Sequence, residues 1–241
     1  MRVAVLSDIH ANLVALDAVL ADAGPVDAVW HLGDVVGYGP DPDGVVARLT
    51  EIGAIGVAGN HDRAATGAID IDWFNADAKG AMEWTRRRIS DGTAAWLAAL
   101  PDTRTEAETF LVHGSPAVPI WEYLLTAAVA RDGFGHLPTR IGLFGHTHLP
   151  MAWTLHGSRV WCLFPDDAPV ASLAGPDRYL VNPGSVGQPR DGDPRSGWLE
   201  LDTSTLEARW HRVAYDIAAV QAEMRAVGLP VRLIDRLAVG L

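Results

Sequence analysis

The sequence predicts an α/β fold in which a parallel layer is followed by strands that fold back antiparallel. Three patterns carry that prediction. Short apolar, β-rich runs alternate with stretches of helical spacing near the start of the chain, strands separated by Gly, Pro or Asp turns follow Pro101, and several strands stop at a group of Asp, His or Asn.

Val3 to Leu6 is a short apolar run that ends at Ser7-Asp8-Ile9-His10, the pattern of a buried strand opening into a polar loop. Leu13, Leu16, Asp17 and Leu20 follow at helical spacing, and Gly24-Pro25 supplies the stop. A second unit repeats the plan: Ala28 to Leu32 as strand, Gly33-Asp34 as turn, then a helix from Val45 to Ile52 after the Pro-Asp-Pro-Asp-Gly loop. Ile55 to Ala58 makes a third strand that closes on Gly59-Asn60-His61-Asp62. Strand, helix, strand, helix, strand implies parallel pairing.

Phe74 to Leu100 reads as helical, with Pro101 as its stop. Strands are expected at Phe110 to Val112, Ile141 to Phe144, Met151 to Leu155, Arg159 to Leu163, Tyr179 to Val181, Trp198 to Leu201 and Leu206 to Val213, giving a mixed or two-sheet core. The tail, about 216–241, has helical spacing broken at Gly228-Leu229-Pro230 and should form two short helices. No repeat or linker divides the chain, so a single domain over residues 1–241 is expected.

Hydrophobic residues make up 49% of the chain against 20% charged, enough to build a packed core. No apolar run approaches the roughly 20 residues that span a bilayer, and the first residues lack a signal-peptide pattern, so a cytoplasmic protein without a membrane segment is expected. Cys162 is the only cysteine, which excludes an internal disulfide and a thiolate zinc site. Any metal must be held by His, Asp, Glu or Asn. A formal charge of -11 disfavours nucleic acid as partner and leaves a small substrate gripped by bound cations as the expected one.

The carboxyl ends of neighbouring parallel strands meet at one sheet edge, where ligands bind. The first three strands bring Asp8 and His10, Asp34, and Asn60 and His61 to that edge. Asp8 and His10 are two apart, and in an extended segment both side chains point to one side. His113 follows a further strand, and His146 and His148 repeat the period-two spacing after another. Each element alone arises often by chance. Their order and their common placement after strands make them specific.

The series Asp8-Ile9-His10, Gly33-Asp34, Gly59-Asn60-His61-Asp62, His113-Gly114 and Gly145-His146-Thr147-His148 resembles the calcineurin-like metallophosphoesterase superfamily, and Asn182-Pro183-Gly184-Ser185 extends the resemblance toward its small bacterial and archaeal phosphoesterases. The resemblance implies a four-layer α/β/β/α sandwich with mixed sheets. It implies that Asp8, His10 and His148 hold one ion, that Asn60, His113 and His146 hold another, and that Asp34 bridges the two. A mixed N and O donor set suits two divalent transition-metal ions, with Mn favoured by the resemblance and Fe, Zn, Ni or Co as alternatives. The chemistry that follows is hydrolysis of a phosphoester by a hydroxide bridging the pair.

In the superfamily the residue matching His61 faces the phosphate, so His61 is the candidate to protonate the leaving oxygen or to stabilise the transition-state charge. Asp62 is expected to act with it, either orienting the imidazole or buttressing the loop. Tyr38, Trp73 and Trp121 are candidates to border the substrate. Asn12 and Arg63 read as loop residues, and His31, His136, His156 and His211 as structural or surface residues. Protein Ser/Thr phosphatases of the superfamily carry Asp-Arg-Gly after the Gly-Asp motif and Glu after Gly-Asn-His. Here Val35-Val36-Gly37 and Asp62 stand instead, which turns the reading toward a small-molecule phosphodiester, with a phosphomonoester, a nuclease substrate or a non-catalytic scaffold as alternatives. Ser115 to Leu137 and Gly157 to Gly175 read as insertions on the substrate side.

Overall fold

The computed structural model describes residues 1–165 and 170–241. Its strands are β1 (Arg2–Leu6), β2 (Ala28–His31), β3 (Ile55–Gly56), β4 (Thr103–Glu106), β5 (Thr109–Val112), β6 (Ile141–Leu143), β7 (Pro150–His156), β8 (Arg159–Leu163), β9 (Val170–Ser172), β10 (Arg178–Pro183), β11 (Ser196–Asp202) and β12 (Glu207–Val213). The helices are α1 (Leu13–Ala23), α2 (Pro42–Glu51), α3 (Asn60–Ala65), α4 (Ala76–Arg88), α5 (Asp91–Ala99), α6 (Ala127–His136), α7 (Ile217–Ala226) and α8 (Val231–Asp235).

The strands form two mixed six-stranded sheets, ordered β3-β2-β1-β11-β12-β9 and β4-β5-β6-β10-β7-β8. In the first, β1, β2 and β3 are parallel, as the strand-helix alternation predicts, and β11 returns antiparallel to β1 with Val3 opposite Leu201. In the second, β5, β6 and β10 are parallel.

Period two explains why the sheets stack. Val3 and Val5 of β1 face Leu143 and Val181 of the second sheet in one buried cluster, whereas Ala4 and Leu6 point the other way into a cluster with Leu16 and Val19 of α1. A third cluster packs Ala130 and Phe134 of α6 on Val112 and Leu180. The result is helix, sheet, sheet, helix. A fourth cluster joins Val220, Met224 and Leu233 of the tail to Ala78 and Ala81 of α4.

Several elements differ from the sequence expectation. The helical stretch from Phe74 to Leu100 is two helices, because Ser90 accepts a hydrogen bond from the Thr93 N–H at 3.2 Å and caps a new start. β4 and β9 are short edge strands with a weak apolar signature, and β3 keeps only two residues before the chain turns into α3. Ser115 to Leu137 contains α6, begun by the Thr126 cap. Of Gly157 to Gly175, residues 166–169 lie outside the described residues, and the remainder is largely β8 and β9 at outer sheet edges. No described residue of that stretch borders the site below. Among the described residues, no helix is long and apolar enough to cross a membrane.

Candidate metal centre

The strand ends of the two sheets meet, and the chain presents its polar residues there through left-handed backbone. Asp8, His10, Asp34, His146 and His148 have φ of 52°, 50°, 52°, 65° and 60°. The expected extended Asp-X-His and His-X-His segments are therefore tight turns, and convergence of the side chains comes from reversed backbone, not from strand pleat. Such φ values cost on the order of 1 kcal/mol or more per residue, though Asp and His tolerate them better than most, and they persist only where surroundings hold them. Here they are held: His10 N–H donates to Asp34 O (2.9 Å), Gly187 N–H to Asp8 O (3.0 Å) and the Ser185 hydroxyl also to Asp8 O (2.8 Å). Asn182 Nδ2 donates to Gly145 O at 2.8 Å. The Asn182 to Ser185 turn thus braces both ligand loops.

All seven residues expected as ligands are buried and lie in two adjoining groups. Asp8, His10, Asp34 and His148 form one, and Asp34, His113 and His146 the other, with ligand atoms in each within 4.8 Å of one another. Asn60 joins the second group, its Oδ1 3.1 Å from His113 Nε2. Each carboxylate divides its oxygens. Asp8 Oδ2 accepts from the Ser7 hydroxyl (2.7 Å) and the His146 N–H (3.1 Å), while its buried Oδ1 has no hydrogen-bond partner and faces His148 Nε2 at 3.3 Å. Asp34 Oδ1 accepts from the His61 N–H (2.8 Å), while Oδ2 faces His10 Nε2 (3.7 Å) and His113 Nε2 (3.4 Å).

The second nitrogens of the rings decide what the cluster can hold. His10 Nδ1, His113 Nδ1 and His148 Nδ1 lie against the carbonyls of Val36 (3.3 Å), Leu32 (2.8 Å) and Gln188 (2.6 Å), and His146 Nε2 against that of Trp121 (3.2 Å). A carbonyl only accepts, so each of these nitrogens carries the hydrogen and the opposite nitrogen of the neutral ring offers a lone pair. Those lone pairs converge: His10 Nε2 on His148 Nε2 at 3.2 Å, and His113 Nε2 on His146 Nδ1 at 3.1 Å. Where both rings are neutral, facing lone pairs repel, and a cation between them, a metal ion or a proton, relieves the repulsion. The orphaned Asp8 Oδ1 and this donor set fit divalent metal ions.

Burial foremost pushes His10 and His148 well below the usual imidazole range and His146 down to about 3, favouring the neutral ligand form. His113 goes the other way. Burial opposes its charge, but the Asp34 carboxylate, and Asp8 beyond it, raise it to about 9. A cation there competes with that proton.

His61 sits on the wall of a pocket of about 360 Å³ that it shares with Asp34, Asn60, His146 and His148. Its ring packs against Tyr38 (4.3 Å between centroids) and Phe74 (4.9 Å), and its buried Nδ1 has no partner, which leaves Nε2 as the nitrogen able to meet a ligand. Asp62 does not touch that ring nitrogen. Its Oδ1 accepts from Val35 N–H (2.9 Å) and Val36 N–H (3.1 Å) and its Oδ2 from Gly59 N–H (2.9 Å), tying the Asp34 loop to the Asn60 loop. Of its two expected roles, the geometry is that of the buttress.

Tyr38, Trp73 and Trp121 all line the pocket. Asn12 is no loop residue: it is buried, caps α1 and donates to Gly187 O at 3.1 Å. Arg63 is anchored by Asp102 and the Leu100 carbonyl. Sequence reasoning missed Tyr123, stacked on His146 at 3.9 Å, and Arg190, which lines the pocket with its Cζ 5.9 Å from the Tyr38 ring centre and its buried Nε unpartnered. Arg190 was within reach, since it ends the run that starts at Asn182-Pro183-Gly184-Ser185. Nothing local marks Tyr123.

A buried Asp and His cluster where two packed mixed sheets join their carboxyl ends is the hallmark of a metal-dependent phosphoesterase. The chain belongs to the calcineurin-like phosphoesterase superfamily, whose domain model matches residues 1–205. It is 34% identical over 245 residues to an uncharacterised protein of Methanocaldococcus jannaschii, covering 99% of this chain and 98% of the relative. Its structure is similar to that of a metallophosphoesterase from Sphaerobacter thermophilus, with 42% identity, a TM-score of 0.90 and coverage of 100% of this chain and 99% of the other. A hypothetical protein from Pyrococcus horikoshii shares the fold at 20% identity, with a TM-score of 0.79 and coverage of 100% and 98%.

Proposed function

We propose that this protein hydrolyses a small-molecule phosphodiester with two divalent transition-metal ions, Mn foremost. Asp8, His10 and His148 hold one ion, Asn60, His113 and His146 the other, and Asp34 lies between. The observation that carries the reading is the convergence of imidazole lone pairs on two adjoining points that share one carboxylate oxygen. When bound, such an ion pair supplies a water of lowered pKa and neutralises phosphoryl oxygens. The protein's part is to orient. Main-chain carbonyls set the ring tautomers, Asp62 holds the Asp34 and Asn60 loops together, and His61 meets the phosphoryl group and stabilises charge that develops on it or protonates the leaving oxygen.

The surroundings favour a diester over a monoester. The pocket opens past Trp73 and Trp121 into an aromatic cleft of about 440 Å³, and past Arg190 into a second groove, so each ester arm has a place to lie. A net charge of -11 supports a small substrate over a nucleic acid polymer.

The test is metal analysis of the purified protein followed by a Mn-reconstituted comparison of bis(p-nitrophenyl) phosphate, p-nitrophenyl phosphate and single-stranded DNA. The expected outcome is about two metal ions per chain and the highest kcat/KM on the diester. His61→Ala should lower kcat by about 10²–10³ with metal content unchanged. Absence of both metal and hydrolysis would favour a binding scaffold, and equal rates on DNA a nuclease.

A further inference from the structure

The groove beyond Arg190 has a volume of about 980 Å³ and runs on from the metal pocket, with which it shares Tyr38, Asn75, Tyr123 and Arg190. Its far wall is the tail of the chain, where α8 and the turn after it bring Arg232 and Arg236 to the same space. Three guanidinium groups thus converge in a chain whose net charge is -11. Two carboxylates, Asp77 and Asp235, also face the groove, and Asp235 lies 3.6 Å from Arg225 on α7 in an exposed pair. Among the described residues, neither Arg190 nor Arg232 makes an ion pair, and the buried Nε of Arg190 has no hydrogen-bond partner. Arg236 is half-buried and bonds through Nε to the main-chain oxygen of Leu241. Burial first, then Arg190 and Arg232, lower its pKa to about 10, while Tyr38 and Asp77 act the other way.

We infer that this groove binds a second phosphate of the substrate, remote from the ester cleaved at the metal centre, with Arg232 and Arg236 as specificity residues and Arg190 at the junction of the two sites. The inference rests on the phosphodiesterase reading above. A guanidinium presents paired donors that match phosphate oxygens, so a site built from arginines on two separate segments selects an anion of that shape and places the scissile ester by its other end. The recognised class is a phosphoester with a further phosphate group, such as a 5′-phosphorylated dinucleotide.

The experiment compares the dinucleotides ApA and pApA on the Mn-loaded enzyme and on R232A/R236A, with bis(p-nitrophenyl) phosphate as a substrate that carries no second phosphate. The parent enzyme should prefer pApA by at least about tenfold in kcat/KM, chiefly through KM, and the double variant should lose that preference while ApA and the aryl diester stay within about twofold. A parent preference below about twofold, or one that survives the double variant, would overturn the inference. If the aryl diester is cleaved and neither dinucleotide is, or if no substrate is cleaved, the two dinucleotides are titrated calorimetrically into the same Mn-loaded proteins. Tighter binding of pApA to the parent alone supports the groove even where the phosphodiesterase reading has failed, and equal binding refutes it. If the double alanine variant does not fold, R232Q/R236Q, which keeps the side-chain length and removes the charge, takes its place.

Discussion

Asp62→Asn separates the two roles that sequence allows for this residue. The carboxylate is fully buried and accepts three main-chain hydrogen bonds, two on Oδ1 and one on Oδ2. Asparagine keeps the Oδ1 pair and sets an NH2 group against the Gly59 N–H. One charge-assisted hydrogen bond, about 1.5–3 kcal/mol, is lost. Part of the loss is offset, because burial foremost and Asp34 next already push the Asp62 carboxyl up to about 7 and the substitution relieves that buried charge. A net destabilisation of about 1–2 kcal/mol is expected. Asp62→Ala leaves all three N–H groups without an acceptor, at roughly 1–3 kcal/mol each, and should lose about 3–9 kcal/mol, a large part of a domain's stability. Urea unfolding at fixed Mn, metal stoichiometry and pH–rate profiles are the measurements. A buttress predicts that stability, metal affinity and kcat fall together while the pH profile keeps its shape. Unchanged stability with a hundredfold or greater loss of kcat, and one limb of the profile gone, would refute the reasoning and make Asp62 a proton-transfer group.

Other residues give equally direct tests. A Cβ on Gly37, whose φ is +90°, would overlap His61 Nδ1, so Gly37→Ala should lower kcat about as much as His61→Ala with metal retained; normal turnover would show that the ring position is immaterial. Asn12→Ala removes the α1 cap and the bond to Gly187 and should cost about 1–2 kcal/mol or more in thermal unfolding, with Asn12→Asp recovering the cap alone; equal melting of all three proteins would contradict this. His31 is buried on β2 against Trp96 with neither ring nitrogen bonded, and burial foremost, with Arg104 second, lowers it to about 3. The unfolded chain takes up this proton below about pH 6.5 and the folded chain does not, so the penalty is absent above pH 7, grows as pH falls and levels off near pH 3. His31→Leu should therefore gain on the parent by roughly 2 kcal/mol between pH 7 and pH 5, and parallel pH courses of the two urea midpoints would contradict it.

The seven candidate ligands and His61 were legible because each follows an apolar strand, and strand ends are forced to one edge by parallel pairing. The alternation of Val3, Val5 against Ala4, Leu6 likewise marks a strand buried on both faces. Less was legible where local chemistry is ambiguous. The break at Ser90 hides inside continuous helical spacing, β4 and β9 are short and weakly apolar, and α6 starts at a Thr cap within a stretch read as an insertion. Asp62 was ambiguous for a different reason: a carboxylate next to a histidine looks the same whether it serves the ring or the backbone.

Residue types at strand ends follow from short-range pattern, since a run of five or six residues suffices to set strand, turn and ligand. Which imidazole nitrogen faces inward does not, because it is chosen by carbonyls of Val36, Leu32, Gln188 and Trp121, between 25 and 81 residues away in sequence. The groove is more remote still. Arg190, Arg232 and Arg236 share a space with Tyr38 and Asn75 only because the tail packs its apolar face on α4, and no pattern within any one segment encodes that meeting. Donor identity is therefore a property of the chain, and donor direction and the walls around the substrate are properties of the packed fold.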